Sequence, residues 1–379
     1  MNIIFAGSIG RFPVGGHAWI DMQYILGLTR LGHRVTYLEE CGEGSWVYNW
    51  ETETITTDLD YPISYIESCF KSTGISSKWI YRAGKRAAGL DVPAFKDICS
   101  ECELLIIRGV PLSLWREEYD LPARRAFIDV DPGFTQFKLA DNDVDLRHTV
   151  ERSERLFTIG QRLGAADCSI PTLGYNWQKT VSPVSLPDWQ YVQSDDDNRF
   201  TTIMQWHSYM DAFYDGRSYG NKEKEFPKFI DLPKLTNQRL KIALTGGEPQ
   251  MFMDHGWEVV EGWSTSFTPS QYQQFIQRSR AEICVAKHGY VATRGGWFSD
   301  RSICYLASGR PVLMQDTGIR DWLPTGKGVV AFTTLEDAAS GIEEINKNYE
   351  YHRRASRELA EKFFDASHVL TDFINAAMN

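Results

Sequence analysis

No run of about eighteen apolar residues occurs anywhere in this 379-residue chain, and a helix needs roughly that length to cross a bilayer. A basic, apolar, cleavage-site leader is missing too: the sequence opens on the strand-like NIIFA, so a soluble cytoplasmic protein is expected. Positive charge is in deficit, with 40 Lys and Arg against 50 Asp and Glu, a net charge of −10 and a pI near 5.4. A nucleic-acid surface relies on Lys and Arg against phosphates, so this balance points away from such a partner. The seven cysteines are odd in number and scattered. Cys99 and Cys102 form one CxxC, yet no second pair or histidine partner completes a zinc site, so buried reduced thiols and no bound metal are expected. The glycines after the first strand do not fit GxGxxG, which excludes the dinucleotide fingerprint.

What is present suits two globular domains. The length is generous for one core, while 42% hydrophobic and 24% charged residues are ordinary for a globular protein. Asn2 to Ala6 reads as a strand, GSIGRFPVGGH as a glycine loop, Trp19 to Leu31 as a helix ended by Gly32, and Arg34 to Leu38 as a strand. That β-loop-α-β opening is the start of a doubly wound sheet. Further strands are expected at Leu104 to Ile107, Ala126 to Val130 and Leu156 to Ile159. Between Asp167 and Asn198, prolines 171, 183 and 187 and the acidic run 195 to 197 interrupt any periodicity, which places a domain junction there. A second series runs through Phe200 to Met204, Lys241 to Thr245, Trp257 to Glu261, Glu282 to Ala286, Val312 to Met314 and Val329 to Phe332, with helices at Pro269 to Arg278, Leu335 to Asn346 and Tyr349 to Phe364.

The segment His288 to Gly318, HGYVATRGGWFSDRSICYLASGRPVLMQDTG, concentrates chemistry. Gly295 and Gly296 allow close backbone approach, Arg294 and Arg301 match phosphate oxygens, and Asp300 opens an amphipathic helix that Gly309 ends. A helix N-terminus beside a loop is a natural phosphate site. This stretch resembles the nucleotide-sugar pocket of GT-B glycosyltransferases, whose "small, Gly, any, Pro, apolar" turn is matched by Ala307, Ser308, Gly309, Arg310, Pro311 and Val312. The usual glutamate before that turn is replaced at Cys304, and Asp300 lies one helical turn earlier. Gly32, His33, Arg34 and Val35 likewise resemble the GHxV strand entry of GT-B amino-terminal domains.

The resemblance covers essentially the whole chain. It implies an α/β protein of two Rossmann-like doubly wound domains with an interdomain cleft: an acceptor domain at 1–190, a donor domain at 191–366, and a last helix at 367–379 packing back on the first domain. It also implies a donor site of Gly15, Gly16, His288, Arg294, Gly295, Gly296, Trp297, Asp300, Arg301, Thr317 and Gly318. Asp300 would accept from the ribose, and Thr317 and Gly318 would face the sugar. A nucleotide sugar, with UDP favoured, is then the substrate, and no cofactor is needed. By the same resemblance His17, in the glycine loop, becomes a general base oriented by Asp129 or Asp131.

Each assignment has a plainer rival. His17 could cap its helix or, with Gly15 and Gly16, offer amides to a phosphate. Asp129 and Asp131 could be an acidic turn capped by DPG, or a metal-holding DxD of GT-A type, which the C-terminal pattern outweighs. Asp300 and Arg301 could pair on a solvated face; His288 could be structural, and the twelve tryptophans mostly core. Arg108 and Gly109, Gln205 to His207 and Thr245 to Glu248 sit at strand ends without specificity. The function expected is a metal-independent transfer of sugar to an acceptor hydroxyl, inversion favoured. A GT-B-type sugar-nucleotide epimerase and a noncatalytic nucleotide-sugar binder are the alternatives.

Overall fold

Apolar runs buried on both faces make strands that must be covered by helices on both sides, and the chain builds two such sheets in series. The structure, a computed structural model, describes residues 1–44, 46–52, 54–109, 112–193 and 196–379. The first sheet contains β1 (Asn2–Ala6), β2 (Arg34–Glu40), β3 (Lys78–Ala83), β4 (Arg86–Gly89), β5 (Leu104–Arg108), β6 (Arg125–Asp129), β7 (Arg155–Thr158) and β8 (Trp177–Lys179). Their spatial order is β8-β7-β6-β5-β1-β2-β3-β4, parallel except for the β3–β4 hairpin. The second comprises β9 (Arg199–Gln205), β10 (Arg239–Thr245), β11 (Glu258–Glu261), β12 (Ala281–Cys284), β13 (Val312–Gln315) and β14 (Val329–Phe332), ordered β11-β10-β9-β12-β13-β14 and wholly parallel.

Seven helices bear on the site or on the join between the sheets: α1 (Gly15–Arg30), α2 (Phe134–Ala140), α3 (Pro269–Arg278), α4 (His288–Thr293), α5 (Asp300–Ala307), α6 (Tyr349–Phe363) and α7 (Ala366–Met378). Helix α7 returns to the first sheet's side. A Cβ on Gly27 of α1 would lie 2.8 Å from Ala366 Cβ, and the Phe157 and Phe373 rings sit 4.5 Å apart. Trp189 bridges the two units, its ring 5.1 Å from Trp19 and 6.2 Å from Tyr272. Among the described residues no helix is long and apolar enough to cross a membrane.

A candidate active site between the two sheets

In an open α/β sheet the ligand crevice opens where neighbouring strands leave in opposite directions. Those points lie between β1 and β5 in the first sheet and between β9 and β12 in the second. At the first, Ser8, His17, Asp21 and Arg108 gather. Arg108 and Asp21 form a fully buried ion pair, and Asp21 also accepts from Ser8 N at 2.8 Å. His17 Nε2 stands 2.6 Å from Ser8 Oγ and 3.4 Å from Arg108 Nη2. Since a guanidinium can only donate, Nε2 accepts and Ser8 must donate to it, leaving the ring neutral with its proton on Nδ1. Burial, reinforced by Arg108, holds the histidine down to about 4. The first half of the glycine loop is engaged: Ile9 N donates to Tyr37 Oη at 2.8 Å, while Gly10 N and Arg11 N donate to Glu39 at 2.9 and 2.5 Å. Burial raises Glu39 to about 7.

At the second point, Arg301 reaches inward from α5, donating to buried Glu282 at 2.5 Å and to Ile203 O at 2.8 Å. Beside them lies Lys222, only 8% exposed and, among the described residues, without an acceptor for its ammonium. Burial first, then Arg301, lowers it to about 8. Asp300, first residue of α5, is raised by burial, which the nearby Ser182 hydroxyl and Arg108 partly offset, and its Oδ1 is enclosed without a hydrogen bond of good geometry. The two halves enclose a cavity of about 230 Å³ lined by Gly16, Trp19 and Gln23 of α1 and by Asp300, Arg301 and Cys304 of α5.

No family model matches the chain, and no curated protein matches it in sequence. Solved structures match it in shape. An α-glucosyltransferase in complex with UDP and a 13-mer DNA containing a HMU base has a TM-score of 0.62 at 11% identity, over 100% of this chain and 99% of that one. HepE of Anabaena in complex with UDP gives 0.57 at 11%, over 99% of each chain. Sucrose-phosphate synthase from Thermosynechococcus elongatus gives 0.55 at 10%, over 99% and 98%. The chain has the GT-B fold.

Within the GT-B cleft the expected site residues divide. His17 lies on the first side; Asp300 and Arg301 lie on the second and line the shared cavity. The acids expected to orient His17 do not reach it. Asp129 is buried and accepts from Gln136 Nε2 at 2.9 Å and Thr158 Oγ1 at 2.7 Å. Asp131 instead faces the second domain, accepting from Tyr209 Oη at 2.8 Å and from Tyr290 Oη, with Lys287 Nζ 3.9 Å away. Asp21, not singled out in the sequence, is the carboxylate near His17; its only signal is its place one turn further along α1.

The glycine pair also serves a different neighbour. Gly295 O accepts from Arg162 N at 2.9 Å, and a Cβ on Gly296, at φ +73°, would stand 2.9 Å from Arg162 Cγ. First-domain backbone, not an open phosphate path, fills that close approach. Gly318 meets the same arginine, its Cβ position being 2.7 Å from Arg162 Cδ. Thr317 is buried and donates to Trp297 O at 2.6 Å, so it does not face an open sugar site. Trp297 stacks on Tyr290 at 4.1 Å. Arg294 pairs with Asp167 at 3.2 Å and Asp321 at 3.7 Å. His288 Nδ1 accepts from Gly220 N at 3.3 Å and so braces the loop that carries Lys222. Gly15 and Gly16 admit α3: a Cβ on Gly15 would collide with the Thr268 carbonyl, and one on Gly16 would lie 2.7 Å from the Tyr272 ring. Arg301 and Asp300 do not pair with each other on a solvated face, because Glu282 holds the guanidinium inside.

Proposed function

We propose that this protein is a nucleotide-sugar-dependent glycosyltransferase that takes a UDP-sugar in the second domain and an acceptor hydroxyl from the first. The observation that carries it is Lys222, a buried cation with no hydrogen-bond or salt-bridge partner among the described residues, which shares the single carboxylate of Glu282 with Arg301 at the switch point of a GT-B donor domain. Burying two cations against one carboxylate is costly, and a diphosphate supplies the missing charge. Asp300, which lines the cavity and has an enclosed oxygen without a hydrogen-bond partner, accepts from ribose hydroxyls. His17 is the base of an inverting transfer: it is neutral at physiological pH, and its Nε2 lone pair accepts from the Ser8 hydroxyl. Asp131 and its tyrosine partners close the far side of the cleft. Lys222, Arg301 and helix amides would stabilise the leaving diphosphate, so turnover needs no metal. The pair Asp129 and Asp131 is poorly arranged for one, since their carboxylates are engaged by different partners. The seven free cysteines fit a reducing cytoplasm.

Calorimetry with UDP, followed by release of UDP from UDP-sugars with and without acceptors, tests the reading. Micromolar UDP binding that is lost in Lys222→Met, and acceptor-stimulated UDP release in EDTA, are expected. A chain that binds no nucleoside diphosphate, or needs Mn²⁺ for turnover, refutes the corresponding half.

A further inference from the structure

From Val35 to Phe70 the sequence holds eight Asp and Glu and no Lys, Arg or His. This segment leaves β2 at its carboxyl end, on the acceptor side of the cleft, and folds a small hairpin from Val47–Asn49 and Thr54–Thr56. Alternation along a strand sends neighbours to opposite faces. Val47 points into the protein and is buried, which turns Tyr48 to the other face, where Ile55 stands opposite it; Trp46 and Trp50 flank the strand at its two ends. Trp46 is 72% exposed, Ile55 66% and Tyr48 39%. The Tyr48 and Trp50 rings meet edge to face at 4.5 Å.

The loop that leads into this hairpin starts beside the site. The exposed Phe12 ring lies 5.0 Å from His17, and its neighbour Arg11 donates to Ser113 Oγ at 3.1 Å. Ser113 in turn packs on Gly42, at the start of the loop into the hairpin, where a Cβ would stand 3.1 Å from Ser113 Cβ. Single exposed apolar residues need no explanation, but a clustered patch marks a binding surface.

We propose that the Trp46–Tyr48–Trp50 face is an acceptor subsite for a neutral or amino-substituted saccharide, a reading that rests on the glycosyltransferase function above. Flat aromatic rings shed water easily against the C–H faces of a sugar while their edges and polar tips stay wet. Glu43 and Glu51 beside them can accept from hydroxyl or ammonium groups. The charge excludes the other occupants: a polyphosphate chain or an anionic bilayer needs Lys and Arg, and this segment has none.

Saturation-transfer NMR on the full chain with UDP present tests it, using an N-acetylated chitohexaose, its de-N-acetylated form and a heparin hexasaccharide as probes. Saturation transfer to the first two and none to heparin is expected, with affinity falling at least about 10-fold in Trp46→Ala and Tyr48→Ala. Both side chains are exposed, so melting temperature and UDP affinity should stay as in the wild type. Absence of binding by both uncharged and amino probes, equal binding of heparin, or undiminished affinity in both variants overturns the proposal. UDP binding in the same samples separates the two readings: UDP bound without saccharide removes the subsite alone, whereas saccharide bound without UDP removes the donor assignment.

Discussion

Lys222 is the residue on which stability and function oppose each other. Its folded value of about 8, against an ordinary 10.5, means that the native state gives up a proton the unfolded chain still holds between those values. Stability therefore rises with pH from about 8 to 10.5, and the penalty is present in full below pH 8. At about 1.4 kcal/mol per pH unit the displacement corresponds to about 3 kcal/mol. Lys222→Met should accordingly raise the urea midpoint at pH 7 while weakening UDP binding at least about 10-fold, and wild-type UDP affinity should decline as pH passes 8. A variant that loses both binding and stability would show that Lys222 is a packing residue. His17 has a similar sign: the unfolded chain binds a proton below 6.5, the native state only near 4, so its share of stability is lost as pH falls through that window. In His17→Gln the urea midpoint should vary less between pH 4.5 and 6.5 than in the wild type; an unchanged slope would place the protonation elsewhere. At this scale the sequence showed His17 and Asp300 because a loop glycine and a helix start flag them. Lys222 was invisible, since nothing in GNKEKEF distinguishes a buried lysine from its solvated neighbours.

Helix α5 carries a second conflict, between anchoring and binding. Its Arg301 neutralises Glu282, which is fully buried on β12. Removing one partner of a buried pair typically costs about 3–5 kcal/mol because the other charge is left uncompensated. Arg301→Ala and Glu282→Ala should therefore both lower the melting temperature by several degrees in differential scanning calorimetry. Loss of UDP binding in Arg301→Ala is then no clean measure of phosphate contact, and wild-type melting in both variants would contradict the pairing. The strands were the most legible elements. Asn2–Ala6, Leu104–Arg108 and Val312–Gln315 are apolar runs buried within a parallel sheet, and their sequence pattern needs no tertiary context. The β3–β4 hairpin, the helix Asp60–Thr73 and the aromatic hairpin at 47–56 were not expected; the two hairpins are built from strands of three to six residues, too short for a period to stand out.

Across the whole molecule the two domains meet over a small pocket. The cavity between α1 and α5 measures about 230 Å³, below the roughly 300–1,000 Å³ of pockets that enclose drug-sized ligands. A nucleotide sugar therefore needs the domains to part. On one flank they are held by a cluster that combines Asp131 and Phe134 of the first domain with Tyr209, Lys287 and Tyr290 of the second. Lys287 Nζ lies 4.1 Å from the Tyr209 ring centroid, 5.3 Å from Phe134 and 5.5 Å from Tyr290, and it donates to Tyr209 Oη at 2.5 Å. Burial lowers Lys287 and raises both tyrosines, so the two hydroxyls remain protonated donors to Asp131 at neutral pH. Replacing both with phenylalanine keeps the rings and removes these two bonds, each worth about 1.5–3 kcal/mol where the acceptor is charged, together with the bond from Lys287 to Tyr209 Oη. Tyr209→Phe/Tyr290→Phe should then populate a more open state. UDP association measured by stopped flow should quicken about 10-fold, and the radius of gyration from small-angle scattering without ligand should increase. Unchanged association together with unchanged scattering would mean that the cluster does not govern entry, and that the Trp19, Gly15 and Tyr272 contacts of α1 with α3 hold the domains instead.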